Sequence, residues 1–107
     1  MDRRAELDEI LREIVRPYQK DNKLHVFFQP SSSVLLTYPC IIYKLSKIDT
    51  RAADNLSYIK YKRYSVTVID RNPDSKIPDK VLDLPMCSFD RFYTADNLNH
   101  WNLELYY

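Results

Sequence analysis

Glycine is missing from all 107 residues, where ordinary usage of about 7% would supply roughly seven or eight. Loops that cradle phosphates need glycine, so that backbone amides reach the ligand and take up positive φ. P-loop and dinucleotide sites are therefore excluded, and turns fall to Asn, Asp and Pro. No apolar stretch approaches the ~20 residues that span a bilayer, and charged residues begin at Asp2 and Arg3. Neither a membrane span nor a signal segment is expected, and folding in the cytoplasm is. Cys40 and Cys87 are the only cysteines, far apart and each among apolar neighbours; buried reduced thiols are expected rather than a disulfide or metal pair. The two histidines, His25 and His100, sit in alternating strand-like surroundings, and neither has a second ligand at metal-binding spacing. Ser31, Ser32 and Ser33 lack a nucleophile-elbow setting. No catalytic constellation emerges, so the expectation is a non-enzyme with no cofactor and no metal. A formal net charge of +1 leaves no global field to draw in nucleic acid or an acidic membrane.

What is present belongs to a folded chain. Hydrophobic residues make up 45% and charged residues 29%, which sets aside the disordered and collagen-like classes, and the length fits one domain, residues 1–107. Leu7, Ile10, Leu11, Ile14 and Val15 draw one apolar stripe along residues 2–16, the opposite face is charged, and Asp8 and Arg12 stand at i,i+4. This predicts an N-terminal helix stopped by Pro17. Leu24 to Gln29 reads as a first strand and Cys40 to Leu45 as a second, covered on both faces. Tyr58 to Asp70 alternates, with Tyr64, Val66 and Val68 on one side and Ser65 and Thr67 on the other, as in a half-exposed strand. Ile77, Val81, Leu82 and Leu84 predict a short second helix ended by Pro85. Ser88–Tyr93 and His100–Tyr106 predict a closing hairpin around Asp96 and Asn97, with Trp101, Leu103 and Leu105 on its core face. The order α, β, β, β, α, β, β gives an α+β fold: a mainly antiparallel β-sheet covered by the N-terminal helix and the second short helix.

Three features bear on function. Ala53-Asp54-Asn55-Leu56 recurs as Ala95-Asp96-Asn97-Leu98, and Asp54, Asn55, Asp96 and Asn97 read as glycine-free turn elements in which Asn accepts the left-handed conformation. Lys44, Lys47, Arg51, Lys60, Lys62 and Arg63 form a basic run opposed only by Asp49 and Asp54, interleaved with Tyr58, Tyr61 and Tyr64. Such a run fits nucleic-acid phosphates and bases, or a solvated strand pair with snorkelling lysines. Finally there are nine tyrosines, a residue enriched at protein interfaces, and Tyr106 and Tyr107 close the sequence, where packing on a neighbour or at the core's rim would accommodate them. Tyr58, Tyr61, Tyr64, Trp101, Tyr106 and Tyr107 are accordingly candidates for an interface with another subunit or, under the resemblance described next, with a tube. The six basic residues are candidates for an acidic partner or, under the resemblance described next, for a channel lining.

The segment YPCIIYKL at Tyr38–Leu45, the ADN element at Ala53–Asn55, the RYSVTVID strand at Arg63–Asp70, the short helix after it and the closing hairpin resemble tail terminator (tail completion) proteins of long-tailed bacteriophages. The resemblance runs over residues 1–107 in element order. It implies a non-enzymatic α+β virion subunit that forms a hexameric ring on the last tube ring of a finished tail, stops polymerisation and joins the tail to the head connector. Implied partners are copies of itself, the tail tube protein and the head–tail connector proteins. DNA passes through the channel without specific binding, no membrane takes part, and the location is the tail neck of a virion assembled in the bacterial cytoplasm. Ring closure would need two unlike edges, here the strand with Tyr58–Tyr64 and the hairpin ending at Tyr107. Other neck components, such as head-completion or stopper proteins, share these traits. A sequence-independent nucleic-acid-binding module is the alternative from a different class.

Overall fold

Leu7, Leu11 and Val15 recur every fourth residue, so a helix brings them onto one stripe, and in a computed structural model of the chain all three are fully buried. The structure describes residues 3–53 and 57–107, and of residues 49–53 and 57–61 it describes the backbone alone. Helix α1 spans Arg3–Val15, and a single 3-10 turn at Arg16–Tyr18, with Pro17 inside it, turns the chain away. The remaining elements are β1 (Val26–Phe28), β2 (Cys40–Ala53), β3 (Ser57–Asp70), α2 (Ile77–Leu82), β4 (Cys87–Ala95) and β5 (Leu98–Tyr106).

The strands form one sheet in the order β1-β2-β3-β5-β4. Every pairing is antiparallel except β1 with β2, which is parallel. The expected α+β architecture is thus what forms, with a mixed sheet. Residues directly across the ladder share a face, which gives the sheet two unlike sides. On the helix-covered side, Ile41 and Tyr43, Tyr64, Val66 and Val68, and Leu103 and Leu105 join α1 and α2 in a single core with Ile77 and Val81. Each such side chain stabilises the fold by about 1.5–3 kcal/mol through burial. On the other side, among the described residues, a small cluster of Phe27, Cys40 and Ile69 is buried, roofed by Leu36 and Tyr38. Beyond it this side is polar: Thr67 donates to Asn102 Oδ1 at 2.8 Å, and Arg63 lies 3.8 Å from Glu104.

Two expectations about strands change. The second strand does not stop at Leu45 but continues to Ala53. Only its start is covered on both faces, since Cys40 and Ile41 are buried while residues 44–48 are exposed. Nor is the tyrosine-bearing strand an edge within the sheet proper, although its Ser57–Lys62 part, with Tyr58 and Tyr61, pairs with β2 alone. From Arg63 to Asp70, β3 is paired on both sides, by β2 and by β5. The sheet's actual edges are β1 and β4.

Candidate functional site

Beyond the core the two long strands pair only with each other: Lys47–Ala53 matches Ser57–Arg63, whereas β5 reaches β3 no further than Arg63. The result is a two-stranded arm that continues past the sheet. A strand of 14 residues spans roughly 46 Å, and the molecule is elongated accordingly, with principal extents of 51 × 28 × 26 Å. An extra residue, Ser46, interrupts the register between Leu45 and Lys47, where the arm leaves the sheet. Lys44, Lys47 and Lys62 are exposed and Arg63 is half-buried at the arm's base. Among the described residues the Nε of Arg63 is buried without a hydrogen-bond partner. Arg51 and Lys60 lie farther along the arm, as do Tyr58 and Tyr61; their side chains, like Asp54 and Asn55, lie outside the described residues.

The remaining aromatic candidates separate by burial. Tyr64 is only 3% exposed and meets Tyr43 edge-on at 6.0 Å, so it is a core residue and presents no surface to a neighbour. Tyr107 is tied within its own chain. Its N–H donates to the Lys62 carbonyl (3.0 Å), its hydroxyl donates to Glu6 (3.2 Å), and the Arg3 guanidinium lies 4.5 Å from its ring centre. Burial and then the Glu6 carboxylate push its phenol above the usual range. Tyr106 is half-buried, opposite Arg63. Trp101 is also half-buried, packed on the core with Phe92 tilted against it at 5.3 Å.

What the tyrosine count did not disclose lies at the two sheet edges. Met86, Phe89, Phe92 and Tyr93 are exposed along β4, and Leu24, Val34 and Leu35 beside β1; Leu35 is 90% exposed. Phe89 and Phe92 share the helix-covered side because Asp90 is bulged out between them, so Phe89 faces Leu103 and Phe92 faces Trp101. The sequence signal for that bulge is the three-residue spacing in Phe-Asp-Arg-Phe, which breaks strict alternation.

The titratable groups are engaged structurally. His25 is buried, with Nδ1 2.7 Å from the Pro39 carbonyl and Nε2 2.7 Å from Asp21 Oδ1. Through these two contacts the ring pins the entry to β1 against the entry to β2. The hydrogen bond from His25, and after it the one from the Lys23 backbone, hold the Asp21 carboxyl below its ordinary value of 3.8. His100 stacks on Tyr93 at 4.6 Å. Burial first, and Asp70 second, push the Cys40 thiol up to about 12, and burial also raises Cys87, so neither is an activated nucleophile. Both cysteines are free. Among the described residues no three His, Cys, Asp or Glu side chains gather as metal ligands would, and no helix is long and apolar enough to cross a membrane.

Neither the comparison with protein-family models nor that with curated proteins returns a match.

Proposed function

We propose that the chain is a structural ring subunit of a bacteriophage neck, a tail terminator that caps the finished tail tube and joins it to the head connector. The observation that carries this reading is the sheet with two unlike unpaired edges, both apolar, flanked by a long two-stranded arm. A monomer has little use for exposed edge strands, which are liabilities unless paired. A head-to-tail ring uses both. The polar side of the sheet, with Lys44, Arg63 and Thr67, suits a channel through which DNA slides without being held. The arm suits contact with an adjoining ring.

The test is electron microscopy of particles assembled without this protein. Overlong tails of irregular length are expected. Normal tails beside unattached, leaky heads would assign the chain to head completion instead. Micromolar binding of the isolated monomer to DNA, falling steeply with salt, would move the reading to a nucleic-acid-binding module.

A further inference from the structure

The ladder aligns the two edges of the sheet. Across the ladder, Val26 stands level with Ile41, Val68, Trp101 and Phe92, and Phe28 stands level with Tyr43, Val66, Leu103 and Phe89. The backbone directions agree too: β1 runs with β2 and β4 runs against it, so a β4 edge laid beside a β1 edge by rotation about an axis along the strands is antiparallel. The outward hydrogen-bonding groups also correspond. Ile41 donates to the His25 carbonyl and Gln29 donates to the Tyr43 carbonyl, so alternation turns the N–H and C=O of Val26 and Phe28 away from the sheet. Tyr106 donates to the Met86 carbonyl, and alternation counted through the Asp90 bulge turns the groups of Phe89 and Phe92 outward.

We propose that β4 of one copy adds in antiparallel register to β1 of a second copy, Phe92 opposite Val26 and Phe89 opposite Phe28, and that repetition of this contact closes the ring. The inference rests on the ring reading above and names its interface. A groove of about 470 Å³ runs along the open side of β1, between Arg4, Asp8 and Arg12 of α1 and the apolar Leu24 and Val34. It offers the two phenylalanines a place on the helix-covered side of the neighbouring sheet. Of the nine large apolar side chains exposed among the described residues, seven lie at these two ends, which is where a copy-to-copy contact removes them from water. The charges are complementary as well. The groove's rim carries Arg4 and Arg12 against Asp8, Lys23 lies in the adjoining hollow, and the β4 edge carries Asp90 and Asp96 against Arg91.

Closure has a plausible size. Five strands at ~4.8 Å give ~24 Å of wall per copy, so six copies enclose a circle ~46 Å across, wide enough to pass a DNA duplex. Helices on one side only make each subunit thicker there, which puts α1 and α2 outside and the polar side within.

Native mass spectrometry of the wild type against Phe89→Lys/Phe92→Lys tests the contact, since both side chains are about half exposed and circular dichroism reports whether the variant folds. A ring in the wild type and at least a tenfold loss of it in the variant is expected. Independently of folding in that variant, Leu24→Cys with Thr94→Cys in a Cys87→Ser background places thiols at one level on opposite edges. Oxidation should give a covalent ladder that neither single variant gives. A wild-type ring that survives the two lysines and yields no ladder overturns the interface and leaves the ring reading intact. A wild type that stays monomeric at all concentrations overturns both.

Discussion

Tyr43 shows how much of this fold depends on one polar group in the core. Its ring is fully buried between Phe28, at 4.9 Å, and Tyr64, and its hydroxyl donates to Asp8 Oδ1 at 2.6 Å while accepting from Arg4 at 3.3 Å. Burial first and the Asp8 carboxylate second drive its phenol well above the ordinary range. Tyr43→Phe keeps the ring and removes the hydrogen bonds to Asp8 and from Arg4, so a loss of about 1.5–3 kcal/mol is expected in urea unfolding. Tyr43→Ala adds a cavity and should cost about 3–5 kcal/mol. A Tyr43→Phe variant as stable as wild type would show that the hydroxyl contributes nothing. Asp21 makes a pH-dependent counterpart. Its folded value lies below its unfolded one, so its stabilisation is present above the ordinary carboxylate value of 3.8 and disappears as pH falls through the lowered value. Asp21→Asn should therefore be less stable than wild type at neutral pH, and the two urea midpoints should converge as pH drops below about 4. A gap that stays constant down to strong acid would place the effect elsewhere.

At the scale of elements, the β4–β5 hairpin turns without glycine through Asp96 and Asn97, both left-handed with φ of 54° and 62°. Two successive positive φ values define the primed turn whose twist matches the flanking strands. Asn tolerates that region, whereas a β-branched residue does not. Asn97→Val should cost about 1–2 kcal/mol and Asn97→Gly should hold or raise the melting temperature, read by thermal circular dichroism. Identical melting of both variants would remove the turn from the list of determinants. This hairpin was legible in the sequence because Asp-Asn lies between two alternating runs, and α1 was legible because Leu7, Leu11 and Val15 keep helical period through to Pro17. Other features were not legible because they are not local. Nothing in Val26-Phe27-Phe28 encodes that it lies parallel to Ile41–Tyr43, and nothing in the alternation of Tyr64, Val66 and Val68 distinguishes an interior strand from an edge. The basic run drew attention to Lys44–Arg63 as a surface, but its continuation as an arm follows from β5 ending its pairing at Arg63, a fact of topology. Tyrosine was a poor guide to the outer surface, since Tyr43 and Tyr64 supply core rings and the exposed aromatic rings of β4 include Phe89 and Phe92.

The whole molecule divides into a packed body that holds itself together and an arm that adds little to that body. Among the described residues, every member of the main core lies in α1, β1, α2, β5 or the body halves of β2 and β3. The body should then fold without the arm. Replacing residues 49–61 by Asn-Gly joins the paired Ile48 and Lys62 through a two-residue primed turn. It keeps the Lys62 carbonyl that accepts from Tyr107. The shortened chain should retain its circular dichroism and melt within a few degrees of the wild type, because two-stranded ribbons contribute little independent stability. If the arm contacts the adjoining ring and the edges β1 and β4 contact sister copies, the variant should still form rings in native mass spectrometry but no longer cap tail tubes, leaving overlong tails in assembled particles. Tails of normal length with the shortened chain would assign tube contact to the body, and loss of the ring would mean that the arm, rather than the paired edges, links one copy to the next.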